Sequence, residues 1–222
     1  TKLKDKILQS RLESTNSLIT WVERQAHRPN LFINASAIGY YGTSNSKAFN
    51  EHDKPISNDF LASTVMSWED TAKKAENLGI RTVLVRFGLV LGLSGGALPK
   101  MILPYKLFMG GPIGEGTQWI SWIHEKDVIG LILHSINNSD IHGPINVVSP
   151  NPVTMNEFSQ TISDVLQRPN KLKVPDFVLK LVLGEMSMLI LEGQKVIPTL
   201  AIQTNYNFQF PTLKEALTVT LN

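Results

Sequence analysis

The segment IRTVLVRFGLVLG, residues 80–92, constrains the fold more than any other part of the sequence. Its valines and leucines do not alternate with polar residues, which is typical of a strand that is buried on both faces, as in a parallel sheet. Such a sheet is covered by helices on both sides. The segment therefore predicts an α/β architecture.

Helix and strand patterns alternate along the rest of the chain. A polar segment at 42–59 is predicted to be a loop because it is rich in Gly, Asn, Ser and Asp. The alternation predicts a mainly parallel sheet, in which ligands lie beyond the carboxyl ends of the strands. The predicted helices cover 2–27, 60–78, 97–109, 125–137 and 154–167, and the predicted strands cover 30–37, 80–92, 118–123, 143–150 and 206–210.

Composition excludes several classes of protein. The 222 residues are 42% hydrophobic, which is enough for one large domain with or without a small satellite. The 21 basic and 19 acidic residues are interspersed, so neither a nucleic acid nor an anionic membrane is expected as a partner. The chain has no cysteine, which excludes disulfides, thiolate metal sites and a cysteine nucleophile. A small-molecule substrate is the remaining expectation.

No segment predicts a membrane anchor. The first residues, TKLKDKILQSR, lack the apolar core of a signal peptide. The most apolar stretch, 177–193, is interrupted by Lys180, Gly184 and Glu185, and a bilayer span takes ~20 apolar residues, so a buried helix is predicted there. These features predict a cytoplasmic protein, and they do not indicate its oligomeric state.

The stretch NLFINASAIGYYGTS, residues 30–44, suggests a ligand site. It begins as an apolar strand, reaches Ser36, and continues as Gly39-Tyr40-Tyr41-Gly42. A surface turn rarely needs paired aromatic residues, whereas a strand end that faces a ligand often has them. The segment after Arg86, FGLVLG, is expected at the same sheet edge.

A series of short motifs resembles one family. In chain order they are SRLEST, GYYG, SWED, VRFGLVLG, GGPIGEG, WIH and FQFPTLKEAL. They resemble the extended short-chain dehydrogenases/reductases of the nucleotide-sugar epimerase branch, and more closely the YfcH-like atypical epimerases. Each motif alone is weak, but their number and order extend the resemblance over essentially the whole chain.

The resemblance implies a Rossmann-like parallel sheet in 1–150, incomplete at its N-terminus, with 92–123 on the substrate side. It also implies a smaller, mainly helical C-terminal substrate domain of unknown function in 151–222. NADP(H) is the cofactor that it implies for the complete protein. The family's Gly-rich phosphate loop is not found, because GLSGGALPK, residues 92–100, has the wrong glycine spacing. This chain alone therefore lacks that phosphate site.

Three departures from the family's pattern concern its chemistry. The family's Tyr-x-x-x-Lys pair, in which the lysine lowers the pKa of the tyrosine, corresponds to Leu61 and Val65. Epimerases usually carry an asparagine where Leu89 stands. They often carry an arginine, which binds a nucleotide-sugar diphosphate, where Ile120 stands. These departures weigh against nucleotide-sugar epimerisation.

The catalytic candidates that remain are Ser36, Tyr40 and Tyr41. Ser36 could hydrogen-bond a substrate carbonyl or hydroxyl, or it could satisfy backbone groups at the strand end. The family's serine could also correspond to Ala37. Tyr40 or Tyr41 could replace the missing phenol, or both could be packing residues.

Other polar residues have open roles. Arg86 follows a buried strand, so its charge needs an ion-pair partner or an anionic ligand. His124 and Asp127 resemble a metal or acid/base pair by residue type, but are expected to cap and orient the following helix. No metal site is predicted. The cofactor-binding candidates are Ala35, Ser36, Arg86, Gly88, Leu89 and Val90.

The functional prediction is an NAD(P)-dependent epimerase-like oxidoreductase that acts on an unknown small molecule. The alternative is a catalytically silent NADP(H)-binding sensor or partner-binding protein. The missing Tyr-Lys pair favours the alternative, and Ser36 with the neighbouring tyrosines favours the enzyme. The sequence indicates neither the substrate nor a preference for NADP over NAD.

Overall fold

The structure is a computed structural model that describes residues 2–172 and 193–221. Its helices are α1 (Lys2–Glu23), α2 (Phe60–Ala72), α3 (Leu98–Lys106), α4 (Glu125–Asn137), α5 (Met155–Leu166), α6 (Thr199–Gln203) and α7 (Leu213–Leu221). Its strands are β1 (Leu31–Ala37), β2 (Ser44–Phe49), β3 (Arg81–Phe87), β4 (Leu89–Leu91), β5 (Trp119–Ile120), β6 (Trp122–His124), β7 (Gly143–Val147), β8 (Val153–Thr154) and β9 (Gln194–Val196).

The central sheet is parallel and has the strand order β1-β3-β7. The middle strand is covered on both faces, because Val83, Leu84 and Val85 are all buried. The predicted α/β class with a parallel sheet is therefore confirmed. Three pairs of short strands surround this sheet: β2 with β9, β4 with β6, and the antiparallel pair β5 with β8.

Helices pack on both faces of the sheet. On one face, β3 and β7 contribute apolar side chains to a cluster that includes Leu131 of α4 and Ala201 of α6. On the other face lies α2, whose Glu69 reaches Arg86 of β3. A further cluster joins α3, α5 and α7 around Trp122. In the described residues, no helix is both long and apolar enough to cross a membrane.

Two secondary-structure predictions were wrong. The predicted loop at 42–59 contains β2, whose mostly exposed residues carry no hydrophobic signal and are ordered by pairing with β9. The predicted strand at 206–210 is not a strand. The backbone N–H groups of Gln209 and Phe210 donate hydrogen bonds to the Asp127 carboxylate, at 2.8 and 2.9 Å. They are therefore not available for pairing with a neighbouring strand.

Several boundaries also differ from the predictions. Helix α1 ends at Glu23, and the last predicted turns of the second helix, Lys73–Leu78, are 3₁₀. The predicted strand at 80–92 divides at Gly88, because the chain changes from pairing with β7 to pairing with β6 there. The apolar segment at 177–191 and the predicted core residues Met186 and Met188 lie outside the described residues.

Candidate ligand site

A cavity of about 230 Å³ lies at the carboxyl ends of β1 and β3. We call it the carboxyl-end cavity. This is the edge of the sheet at which the sequence predicts a ligand. Its lining comes from five parts of the chain: 37–39, 87–90, 96–97, 119–121 and Gln194.

Gly88 allows the cavity's two sides to come close together. A side chain at this position would place its Cβ 2.3 Å from the Ser121 carbonyl oxygen and 2.7 Å from Cγ1 of Val148. Because neither distance is possible for real atoms, only glycine lets the turn after β3 pass against the turn between β5 and β6. The close packing against Ser121 and Val148 therefore requires a glycine at position 88, the first glycine of FGLVLG.

The lining is mostly apolar, and besides the indole N–H of Trp119 its polar side chains are Ser121 and Gln194, each with at least one bond to the chain. Ser121 Oγ donates to the Gln194 carbonyl at 2.7 Å and accepts from the Val196 N–H at 2.9 Å. The Gln194 side-chain amide donates to the Ile38 carbonyl at 2.8 Å. Among the described residues that line the cavity, none is titratable. The cavity therefore suits an uncharged group with few hydrogen-bonding atoms.

Behind the strand ends lies a buried polar cluster. Ser36, Arg86 and Asn146 are neighbours in register on β1, β3 and β7, so their side chains share one face of the sheet. Arg86 makes two hydrogen bonds of 2.7 Å to the two carboxylate oxygens of Glu69 on α2. Ser36 donates to Glu69 Oε1 at 2.6 Å. The cluster joins the central sheet to α2.

Arg86 was expected to need either an ion-pair partner or an anionic ligand, and its partner is the carboxylate of Glu69. The side chains of Arg86 and Glu69 are 3% and 1% exposed, respectively. Burial by itself would lower the pKa of Arg86, but the hydrogen bonds and charge of Glu69 raise it above its usual value. The signal that could have identified Glu69 is the SWED motif, which puts a carboxylate on the buried side of a helix.

The two tyrosines also belong to the cluster. Tyr41 donates to Asn146 Oδ1 at 2.8 Å and accepts from Arg86 at 3.0 Å, and the guanidinium lies 3.5 Å from the centre of the Tyr40 ring. Burial raises the pKa of Tyr41 to about 12, although Arg86 opposes this shift. A phenol that serves as a proton acceptor near neutral pH needs the opposite shift.

The predicted site residues thus separate into two groups. Gly88, Leu89 and Val90 line the carboxyl-end cavity. The others, Ala35, Ser36, Arg86, Tyr40 and Tyr41, are not among its lining residues. Successive residues of a strand point to opposite faces, and it is Ala37 that lines the cavity next to Ser36. The predicted catalytic and cofactor roles stay predictions. The placement of Ser36 and Tyr41 weighs against direct contact with a ligand in this cavity.

His124 and Asp127 organise the backbone around α4, as expected. His124 is the N-cap, and its Nδ1 accepts from the Lys126 N–H at 3.1 Å. Burial lowers the pKa of His124, which favours the neutral ring that this acceptor role requires. Asp127 accepts from the segment around Gln209. In the described residues, no group of three or more His, Cys, Asp or Glu side chains could hold a metal ion.

Sequence reasoning missed two further residues. Gln194 lines the cavity from a strand that lies far from β1 in sequence but next to β5 in space. Glu51 is buried, accepts from the Asn146 N–H at 3.0 Å, and has a pKa that burial raises. Neither residue stands in a motif, so the sequence carried no signal for them.

Comparison with known proteins places the chain in a family. The profile of the NAD dependent epimerase/dehydratase family matches residues 2–148, and that of a domain of unknown function, DUF1731, matches 174–219. The chain belongs to the NAD dependent epimerase/dehydratase family. The resemblance inferred from the motifs is thereby confirmed. The predicted domain division at residue 150 stays a prediction.

Relatives in this family are similar over most of the chain. The epimerase family protein YfhF of Bacillus subtilis is 46% identical over 216 residues, which are 97% of this chain and 71% of YfhF. The chloroplastic epimerase family protein SDR39U1 homolog of Arabidopsis thaliana is 42% identical over 218 residues, which are 97% of this chain and 62% of that protein.

Two solved structures share the fold. Human epimerase family protein SDR39U1 (isoform 2), crystallised with NADPH, has a TM-score of 0.91 and 34% identity; the match covers 99% of this chain and 75% of that one. UDP-glucuronic acid 4-epimerase of Bacillus cereus, in complex with NAD, has a TM-score of 0.73 and 17% identity over 92% of this chain and 63% of that one. The second likeness shows the fold alone. The predicted Rossmann-like sheet is confirmed.

The residues at which this chain differs from the epimerase pattern include several that line the carboxyl-end cavity. Leu89 and Ile120, which stand where the pattern has an asparagine and an arginine, both line it. So does Ala37, the alternative position for the family's serine. Two positions at which epimerases usually or often carry a polar residue are thus apolar wall residues here, and the one alternative serine position in the wall is an alanine.

Proposed function

We propose that the full-length protein binds NADPH and holds the nicotinamide ring in the carboxyl-end cavity. The supporting observation is the position of this cavity, at the carboxyl ends of β1 and β3, in a chain that shares 34% identity with a structure containing NADPH. When bound, NADPH would supply a hydride. The wall fits an uncharged aromatic ring, because Ala37, Ile38 and Gly88 present no charge to it.

We further propose an oxidoreductase of small uncharged molecules as the activity, with nucleotide-sugar epimerisation as a poor fit. A diphosphate needs cations, and the described lining offers none. A sugar needs partners for several hydroxyl groups, and among the described lining residues only the Ser121 and Gln194 side chains, each already bonded to the chain once or more, could supply them. Each hydroxyl left without a partner would weaken binding by ~1–3 kcal/mol. Location in the cytoplasm is also part of the proposal, although the Arabidopsis relative is named chloroplastic.

A second candidate is an NADP(H)-binding protein without turnover, which senses the cofactor or binds a partner. Two observations support it. The described lining carries no titratable side chain, and Leu61 and Val65 replace the family's tyrosine and lysine. Without a proton donor or acceptor, the usual carbinol–carbonyl conversion loses its general acid–base catalysis, typically ~10²–10⁴-fold in rate.

Titration of the full-length gene product with NADPH tests the proposal. We expect saturable binding, followed by tryptophan quenching. Ala37→Leu fills part of the cavity and should weaken binding at least about ten-fold, since the lost contacts and the displaced ring exceed 1.4 kcal/mol. Ala48→Leu is the matched control on exposed β2 and should leave the Kd unchanged. Absence of binding by the unmodified protein, or an equal effect of both variants, contradicts the proposal.

A further inference from the structure

One wall of the carboxyl-end cavity is aromatic and aliphatic. It consists of Phe87, which is in register with Ala37 of β1, and of Leu89, Trp119 and Ile120. The indole N–H of Trp119 already donates a hydrogen bond to the Asn45 carbonyl at 3.1 Å. The wall therefore offers flat and apolar surface but no free indole donor. Aromatic side chains pack favourably against planar rings.

Among the described residues, few side-chain atoms of the cavity lining can form a hydrogen bond with a ligand. Ser121 uses its hydroxyl hydrogen on Gln194 and accepts from Val196, and the Gln194 amide group donates to Ile38. A ligand that carried several hydroxyl groups or a charge would lose water without replacing it. The favoured ligand is thus uncharged, planar and poor in hydrogen-bonding atoms.

The described residues of the lining include no titratable side chain, which narrows the choice of ligand further. Reduction of an ordinary ketone forms a strongly basic alkoxide, so it depends on an acid such as the family's tyrosine. Leu61 stands at that position, and Tyr41 is buried with Arg86 and Asn146. A quinone does not depend on an acid from the chain, because its reduced anion persists in water and takes its proton from the solvent.

From these observations we propose that the part of the carboxyl-end cavity lined by Phe87, Leu89 and Trp119 binds a small quinone as the hydride acceptor, beside the nicotinamide ring. This inference rests on the proposed function, because NADPH is the reductant. A quinone takes up one hydride from NADPH and one proton from water, which gives the hydroquinone and NADP⁺. The chain's part is to hold the flat ring against Phe87 and Trp119 and to exclude charged and hydroxyl-rich competitors. Leu89 determines this specificity, as it stands where epimerases carry an asparagine.

The first experiment measures binding of a water-soluble quinone, 2,3-dimethoxy-5-methyl-1,4-benzoquinone, to the full-length protein with saturating NADP⁺, so that no turnover occurs. Quenching of tryptophan fluorescence reports occupancy, since Trp119 is a wall residue. We expect saturable quenching that UDP-glucose does not compete away.

Matched variants locate the binding. Leu89→Asn introduces an amide into the wall and should raise the quinone Kd at least about ten-fold. Leu133→Asn makes the same change on the exposed face of α4, where the side chain is 52% exposed, and should leave the Kd unchanged. If Leu89→Asn does not fold, the near-isosteric Val90→Thr serves instead and should raise the Kd about three-fold, because its hydroxyl lacks a partner.

The outcomes separate the two proposals. NADPH binding without saturable quinone binding, or with equal Kd values for wild type and Leu89→Asn, overturns the quinone assignment and leaves the cofactor proposal standing. Quinone binding without oxidation of added NADPH overturns the hydride-acceptor role and favours the silent alternative. If NADPH itself does not bind, the proposed function fails, and the quinone inference fails with it.

Discussion

Arg86 and Glu69 form a bidentate ion pair, with two hydrogen bonds of 2.7 Å, inside the interface between the central sheet and α2. Ser36 and Tyr41 add their hydroxyl groups to the same pair. In this chain, the strand-end serine and the second tyrosine of GYYG are thus bonded to a structural charge pair. The residues that resemble catalytic groups at this edge hold β1 and β3 to α2.

Removing one member of this pair should destabilise the protein strongly. Glu69→Gln leaves the Arg86 charge buried without a counter-charge, which costs roughly 3–5 kcal/mol in the free energy of unfolding. Urea denaturation measures the difference. Glu76→Gln, an exposed substitution just after α2, is the control and should change the unfolding free energy by less than about 0.5 kcal/mol. The double variant Glu69→Leu/Arg86→Met should be more stable than Glu69→Gln, and equal losses for Glu69→Gln and the control would refute a structural role for the pair.

Glu51 should make stability fall as the pH rises. Burial raises its pKa in the folded state, so the folded protein binds its proton more tightly than the unfolded chain does. The contribution is fully present below the carboxyl's ordinary pKa and is lost as the pH rises through the raised value. Glu51→Gln has no such titration. Its stability relative to wild type should therefore increase from pH 4 to pH 7.

Urea denaturation at several pH values measures this difference. The control is Glu76→Gln, because that side chain is exposed. A constant stability difference between Glu51→Gln and wild type across the range would show that Glu51 titrates normally.

Asp127 should anchor the segment around Gln209 to α4. The buried carboxylate accepts from the Tyr206 hydroxyl at 3.0 Å and from two backbone N–H groups. Asp127→Asn replaces one acceptor oxygen by a donor, which should lower the free energy of unfolding by about 1.5–3 kcal/mol, the range for hydrogen bonds to a charged group.

Hydrogen exchange gives the local readout for this variant. The amides of Gln209 and Phe210 should exchange faster in Asp127→Asn, because their acceptor is weakened. Asp140→Asn, on an exposed turn, should leave both rates unchanged. Unchanged exchange in Asp127→Asn would mean that other contacts hold this segment.

Local sequence signals predicted the elements whose own residues specify them. The helix at 125–137 and the strand at 30–37 were placed to within one residue, because both have a clear apolar pattern and clear ends. Strand β2 was missed because its ordering comes from pairing with β9, far along the chain. The alternating aromatic residues at 206–210 predict a strand. The conformation of this segment is instead determined by the hydrogen bonds that its backbone N–H groups donate to Asp127.

The sequence by itself determined the α/β class, through the doubly buried segment at 80–92, and the family, through the order of its motifs. Tertiary structure alone decided which strand-end residue meets the cavity. In register, Ser36, Arg86 and Asn146 share the face that α2 covers, and Ala37 follows on the opposite side of the pleat. Because side chains alternate at every residue, one position separates a buried hydrogen bond to Glu69 from a place in the cavity wall.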